Sequence, residues 1–131
     1  MRKSETTPDA KHVVLVIDDD AITRSSLKFA LEIEGFAVRL YADAYELLND
    51  THLPAKSCLL IDYYMPAMNG LELLAKLRAR GMSIPAIVMT GYSNCTLRDR
   101  IAAAGVPLLE KPFLGNALTE RIREALNQHG S

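Results

Sequence analysis

The sequence predicts an α/β domain: a doubly wound, five-stranded parallel sheet of order 2-1-3-4-5 with helices on both faces. Two observations predict it. Five short apolar runs, several continuous rather than alternating, suit strands buried on both faces of a parallel sheet. Five stretches with helical spacing of apolar residues alternate with them. Crossovers between parallel strands are right-handed, and 2-1-3-4-5 is the simplest order for five βα units. A length of 131 residues fits one domain.

The apolar runs are His12–Ile17, Phe36–Tyr41, Ser57–Ile61, Ile84–Met89 and Val106–Leu109. Ile22, Leu27, Ala30, Leu31 and Ile33 mark a first helix, stopped by Gly35. Tyr45, Leu47 and Leu48 mark a short second helix, with Pro54 in the loop beyond. Leu71, Leu73, Leu74 and Leu77 make a third, ended by Gly81. Leu97, Ile101 and Ala104 make a fourth, ended by Gly105, and Leu118, Ile122, Ala125 and Leu126 a fifth. The expected domain covers residues 12–128, between a flexible N-terminal arm at 1–11 and a tail at 129–131.

Composition narrows the function. Fifteen basic against sixteen acidic side chains give a net charge of −1, so no basic nucleic-acid surface is expected. Cys58 and Cys95 stand far apart in no metal-ligand spacing and read as free thiols of a reducing compartment. Residues 1–11 carry no apolar core of a signal peptide, and no apolar run approaches the ~18 residues of a membrane span. A cytoplasmic protein without membrane contact is the expectation.

Ligands of open α/β sheets bind beyond the carboxyl ends of the strands. Run one ends in Asp18-Asp19-Asp20, run three in Asp62, run four in Thr90, and run five in Glu110-Lys111. One polar residue opening a loop means little, but four on neighbouring strands at one rim describe a site. Two carboxylates ~5 Å apart repel by roughly 3 kcal/mol at an effective dielectric near 20. Lys111 supplies one counter-charge, and Mg²⁺ is the usual hard cation for carboxylates beside phosphate oxygens. A carboxylate so held can attack phosphorus and form an acyl phosphate. The glycines, at 35, 70, 81, 91, 105, 115 and 130, build neither GxGxxG nor a Walker loop. His12, His52 and His129 are scattered, and GxSxG is absent.

These residues resemble the receiver domains of bacterial two-component response regulators. The matching segments are Val14–Asp20, Asp62–Gly70 (DYYMPAMNG), Met89-Thr90-Gly91 and Glu110-Lys111-Pro112-Phe113, within roughly residues 11–127. The nitrogen-fixation and nitrogen-regulation type looks nearest. The resemblance implies a flavodoxin-like receiver fold and a role for each position. Asp62 would be the phosphoacceptor. Asp19, Asp18, Asp62 and the backbone carbonyl of Tyr64 would hold Mg²⁺. Thr90 and Lys111 would meet phosphoryl oxygens, a cis peptide would precede Pro112, and Gly91 would be the small residue beside the phosphoryl group. Asp20 reads as a helix N-cap.

The resemblance further implies a regulator that catalyses its own Mg²⁺-dependent phosphorylation and dephosphorylation, rather than an enzyme acting on other substrates. The donor would be a sensor histidine kinase or a histidine phosphotransfer protein. Output would pass to a protein partner on the face of the fourth helix, fifth strand and fifth helix, and dimerisation on phosphorylation is allowed. A relay shuttle or phosphate sink is the alternative. A haloacid-dehalogenase-type phosphatase fits Asp18-x-Asp20 and Thr90, but leaves Asp62 without a role and lacks a later acidic pair.

Three features depart from the family pattern. The usual aromatic residue three before the lysine is Leu108. The stretch between Thr90 and Lys111 is slightly short, and Pro107 suits an edge strand. Tyr63, Tyr64 and Tyr92 surround the site; surface packing is one reading of them, and a shield formed by Tyr64 and Tyr92 that keeps water from the acyl phosphate is the other.

Overall fold

The computed structural model describes residues 12–113 and 116–130, with side chains to 127. The arm expected at 1–11 lies outside them. Strands β1 (Val13–Ile17), β2 (Ala37–Tyr41), β3 (Ser57–Asp62), β4 (Ala86–Thr90) and β5 (Leu108–Glu110) alternate with helices α1 (Ala21–Ile33), α2 (Ala44–Asn49), α3 (Gly70–Ala79), α4 (Cys95–Ala103) and α5 (Ala117–Gly130). All strand pairs are parallel, in the order β2-β1-β3-β4-β5.

The apolar runs conceal a period of two. Leu15, Ile17, Leu59, Ile61 and Val88 face α2, α3 and α4, packing with Leu47, Leu73, Leu77, Leu97 and Ile101. Val14, Val16, Leu60, Ile87 and Met89 face α1 and α5, packing with Leu27, Leu31, Leu118, Ile122 and Leu126. Each fully buried side chain contributes about 1.5–3 kcal/mol of transfer free energy. Central strands thus read as unbroken apolar runs because both of their faces are covered.

Helix ends follow local chemistry. Asp20, Asp43, Asn69 and Asn94 cap α1 to α4 with side-chain oxygens that accept backbone N–H groups. Gly35, Gly81 and Gly105 follow α1, α3 and α4 at positive φ, where a Cβ would clash with the backbone.

Two sequence expectations shift. Ile22 and Ile33 belong to α1 but are 77% and 67% exposed; the buried stripe is Leu27 and Leu31. The fourth and fifth runs enter the ladder late because Pro85 and Pro107 have no N–H. Their carbonyls still accept from Leu59 and Val88, at 2.8 and 2.9 Å. β5 is the short edge strand that Pro107 suggested. Among the described residues, no helix is long and apolar enough to cross a membrane.

Candidate functional site

β1, β3 and β4 end side by side, and each hands a polar residue to the same rim. Asp62 is the last residue of β3, Thr90 the last of β4, and Asp18 follows β1 directly. Asp18 and Thr90 are fully buried and Asp62 is 8% exposed. One carboxylate oxygen from each of Asp18, Asp19 and Asp62 lies within 4.8 Å of the others. Asp19 is the exposed member.

Each carboxylate is held differently. Asp18 Oδ1 accepts the backbone N–H of Asp20 at 2.9 Å. Asp18 Oδ2 pairs with Lys111 Nζ at 3.1 Å, across the rim from the end of β5. The Arg24 guanidinium donates to the Asp18 carbonyl at 2.7 Å, fixing the turn from below. Burial raises the Asp62 carboxyl from 3.8 to about 6. Lys111 opposes that rise, Asp18 and Asp19 add to it, and the Tyr64 N–H pulls back slightly. Asp62 therefore shares a pocket with more negative charge than Lys111 balances.

Asp20 is the N-cap of α1, as its position suggested. Its side chain accepts from the Thr23 N–H and hydroxyl, and this lowers its pKa. The second acid of Asp18-x-Asp20 is thereby engaged in capping, which removes support from the phosphatase alternative.

Sequence reasoning missed the physical reason for the glycine of DYYMPAMNG. A Cβ at Gly70 would lie 3.0 Å from the Asp62 carbonyl oxygen and 3.1 Å from Ile61 Cγ2. The start of α3 is pressed against the end of β3, which holds Asp62 still. The signal was there, since a helix seldom opens on glycine without cause. Gly91 is the opposite case: a Cβ there would meet nothing within 4 Å, so this position offers room.

Thr90 brings a second unforeseen feature. Its hydroxyl donates to the Tyr92 carbonyl at 2.6 Å and accepts the Tyr92 N–H at 3.1 Å. Tyr64 and Tyr92 are 46% and 65% exposed, with ring centroids 6.5 Å apart, and buried Tyr63 meets Tyr64 edge-on at 4.8 Å. The Lys111–Pro112 peptide is cis, and Phe113 packs on the α1–α5 side of the core. A cavity of about 210 Å³ lined by Arg78, Pro85, Val106, Pro107, Arg121 and Glu124 lies at the amino-terminal ends of β4 and β5, away from this chemistry.

The donor set fits a magnesium ion. It consists of hard carboxylate oxygens, close together, two of them on buried residues with a single lysine as counter-charge.

The family model described as "Response regulator receiver domain" matches residues 14–123. The transcriptional regulatory protein FixJ of Bradyrhizobium diazoefficiens is 37% identical over 116 residues, 88% of this chain and 57% of that protein. The response regulator protein TodT of Pseudomonas putida is 32% identical over 119 residues, 90% of this chain and 52% of that one. This chain thus spans about half the length of these relatives. The crystal structure of FixJ-N superposes with a TM-score of 0.82 at 33% identity, covering 89% of this chain and 94% of that one. A CheY-like receiver domain protein from Methanospirillum hungatei gives 0.80 at 31%, covering 92% and 97%.

Proposed function

Because this chain belongs to the response regulator receiver domain family, we propose that it is a phosphorylation-dependent signalling switch whose acceptor is the Asp62 carboxylate. The observation that carries this reading is the convergence of Asp18, Asp19 and Asp62, within 4.8 Å, with Lys111 and Thr90 at the same rim. The donor is a phosphohistidine of a sensor kinase or phosphotransfer protein. A carboxylate oxygen of Asp62 attacks phosphorus, an O–P bond forms, the N–P bond breaks, and the leaving imidazole takes a proton. Release is the reverse in kind: water attacks phosphorus and the O–P bond of the acyl phosphate breaks.

Asp18, Asp19, Asp62 and the Tyr64 carbonyl would hold Mg²⁺. Bound there, the ion supplies positive charge to offset the carboxylates and the phosphoryl oxygens. Lys111 turns from Asp18 to one phosphoryl oxygen, and Thr90 donates to another. Two free cysteines suit the cytoplasm, where such a donor kinase domain works. Output goes to a protein partner on the α4–β5–α5 face, and phosphorylation can favour a homodimer there. No contact with nucleic acid or membrane is proposed for this span.

The test is labelling with acetyl phosphate or an active donor kinase in Mg²⁺. A phosphoryl group should appear on Asp62 and be lost in Asp62→Asn; no label on the native chain overturns the reading. Leu108 favours a second reading, a relay shuttle or phosphate sink, because it has no ring to carry a conformational signal. Rapid passage of the label to a phosphotransfer histidine, with no partner bound in either state, would select it. If Tyr64 and Tyr92 shield the acyl phosphate, Tyr64→Asn and Tyr92→Ala each shorten its life; lifetimes unchanged from the native chain in both variants discard the shield.

A further inference from the structure

The cavity of about 210 Å³ at the end of the sheet away from the acidic rim has a floor and a mouth of different chemistry. Its walls are the start of β4, the turn that leads from α4 into β5, the last turn of α3 and one side of α5. Pro85, Ala86, Val106 and Ala125 are buried and make the floor. Arg78, Arg121 and Glu124 are exposed and stand at the mouth.

The floor offers hydrocarbon and few hydrogen bonds. Pro85 and Pro107 bring no N–H. Their carbonyls already accept from Leu59 and Val88, at 2.8 and 2.9 Å. The N–H groups of Gly105 and Val106 are spent on the carbonyls of Ala102 and Ile101 in α4, at 2.9 and 3.5 Å. A ligand that reaches this floor gains chiefly by burying apolar surface.

The mouth offers charge. Arg78 and Arg121 against Glu124 leave one positive charge in excess. Arg78 Nη1 donates to the Ile84 and Met82 carbonyls at 2.9 and 3.3 Å, which anchors its planar head there. A guanidinium carries five N–H groups, so an anchored one still has donors to aim at a carboxylate. Arg121 and Glu124 lie three residues apart, on one face of α5.

Size narrows the ligand further. A hydrocarbon-lined cavity of roughly 150 Å³ admits benzene, and this one adds room for a polar group. Pockets for drug-sized molecules begin near roughly 300 Å³, so a nucleotide is too large. One excess positive charge suits a monoanion.

We propose that this cavity is a binding site for a small monocarboxylate with an aromatic or branched hydrocarbon body. The body lies on the floor of Pro85, Ala86 and Val106, and the carboxylate meets Arg78 and Arg121. The site stands apart from Asp62 and does not rest on phosphorylation there.

The experiment is an NMR titration of the native chain with three probes: benzoate, its uncharged counterpart benzyl alcohol, and inorganic phosphate. Benzoate should move the Ala86, Val106 and Ala125 amides saturably, with a midpoint on the order of 1 mM, as befits so small a ligand. Benzyl alcohol keeps the ring but loses the charge-assisted hydrogen bonds, and should bind at least about tenfold more weakly. Phosphate has no apolar body and should leave these amides in place. Arg121→Gln is a surface change that spares the fold. It should weaken benzoate by about fivefold, the effect of one partly screened charge, and leave benzyl alcohol unchanged. No saturable shift with benzoate up to about 20 mM overturns the site. Phosphate binding as tightly as benzoate, benzyl alcohol binding as tightly as benzoate, or native affinity for benzoate in Arg121→Gln overturns it equally.

Discussion

The two loops beside Asp62 are built on opposite plans. The β3–α3 loop is clamped at both ends and by two buried methionines. The Tyr63 N–H donates to Met89 O at 2.8 Å, the Gly70 N–H to Tyr63 O at 3.0 Å, and Met65 and Met68 are buried. Asn69 and Glu72 close a reciprocal capping box at its end. The β4–α4 loop hangs from the Thr90 hydroxyl, an Arg98–Ser93 side-chain hydrogen bond at 2.8 Å and a single Asn94 cap, with Tyr92 exposed. The difference teaches that the rim divides its labour. Asp62, the proposed nucleophile, sits on the rigid side, where a small misplacement would cost rate. Thr90, whose hydroxyl is proposed to meet a phosphoryl oxygen, sits on the side with fewer partners to lose.

The sharpest way to break this comparison is to put the same methyl group on each side. Gly70→Ala must push against the Asp62 carbonyl and Ile61, at a cost of about 2 kcal/mol, within the usual overpacking range of roughly 1–3 kcal/mol. Gly91→Ala meets open space and should stay within about 0.5 kcal/mol of the native chain. Urea midpoints at constant m measure both; equal losses would mean that the two loops are equally tight.

The next effect comes from Asp62 itself. Its folded pKa, about 6, lies above the ordinary 3.8, so the folded state holds the proton more tightly than the unfolded one. The contribution is fully present below about pH 4 and is lost as pH rises through 6. It amounts to roughly 1–2 kcal/mol once water at the pocket mouth is discounted. Asp62→Asn should therefore gain stability over the metal-free native chain at pH 7.5 and lose that advantage near pH 4.5. Magnesium should narrow the gap at pH 7.5. A difference independent of pH would show that Asp62 is not strained by its neighbours.

Smaller still are the caps. Asn69→Ala breaks one member of a reciprocal box and should cost about 1 kcal/mol, somewhat more than Asn94→Ala, whose cap is a single hydrogen bond. Thermal midpoints rank them, and the reverse order would contradict the rigidity assigned to the β3–α3 loop. The smallest effect is a gain. Ala67 sits at φ +69, which costs an L residue roughly 1–2 kcal/mol, while glycine's unfolded-state freedom returns about 0.5–1 kcal/mol of that. Ala67→Gly should stabilise the chain by about 0.5 kcal/mol.

The sequence by itself determined the element order, the sheet order, the caps at Asp20 and the rim occupied by Asp18, Asp62, Thr90 and Lys111. Each follows from short-range pattern: an apolar run ends, a polar residue begins, and parallel topology aligns the ends. Tertiary structure alone decided that Ile22 and Ile33 face outward, since α1 packs on the sheet through a stripe narrower than its apolar content. It also decided that Gly70 is pressed against Asp62 and that the Thr90 hydroxyl belongs to Tyr92. The physical reason is common to these cases. A residue type fixes which groups are available, but burial, close approach and the destination of a single hydrogen depend on neighbours that only the folded chain brings within reach.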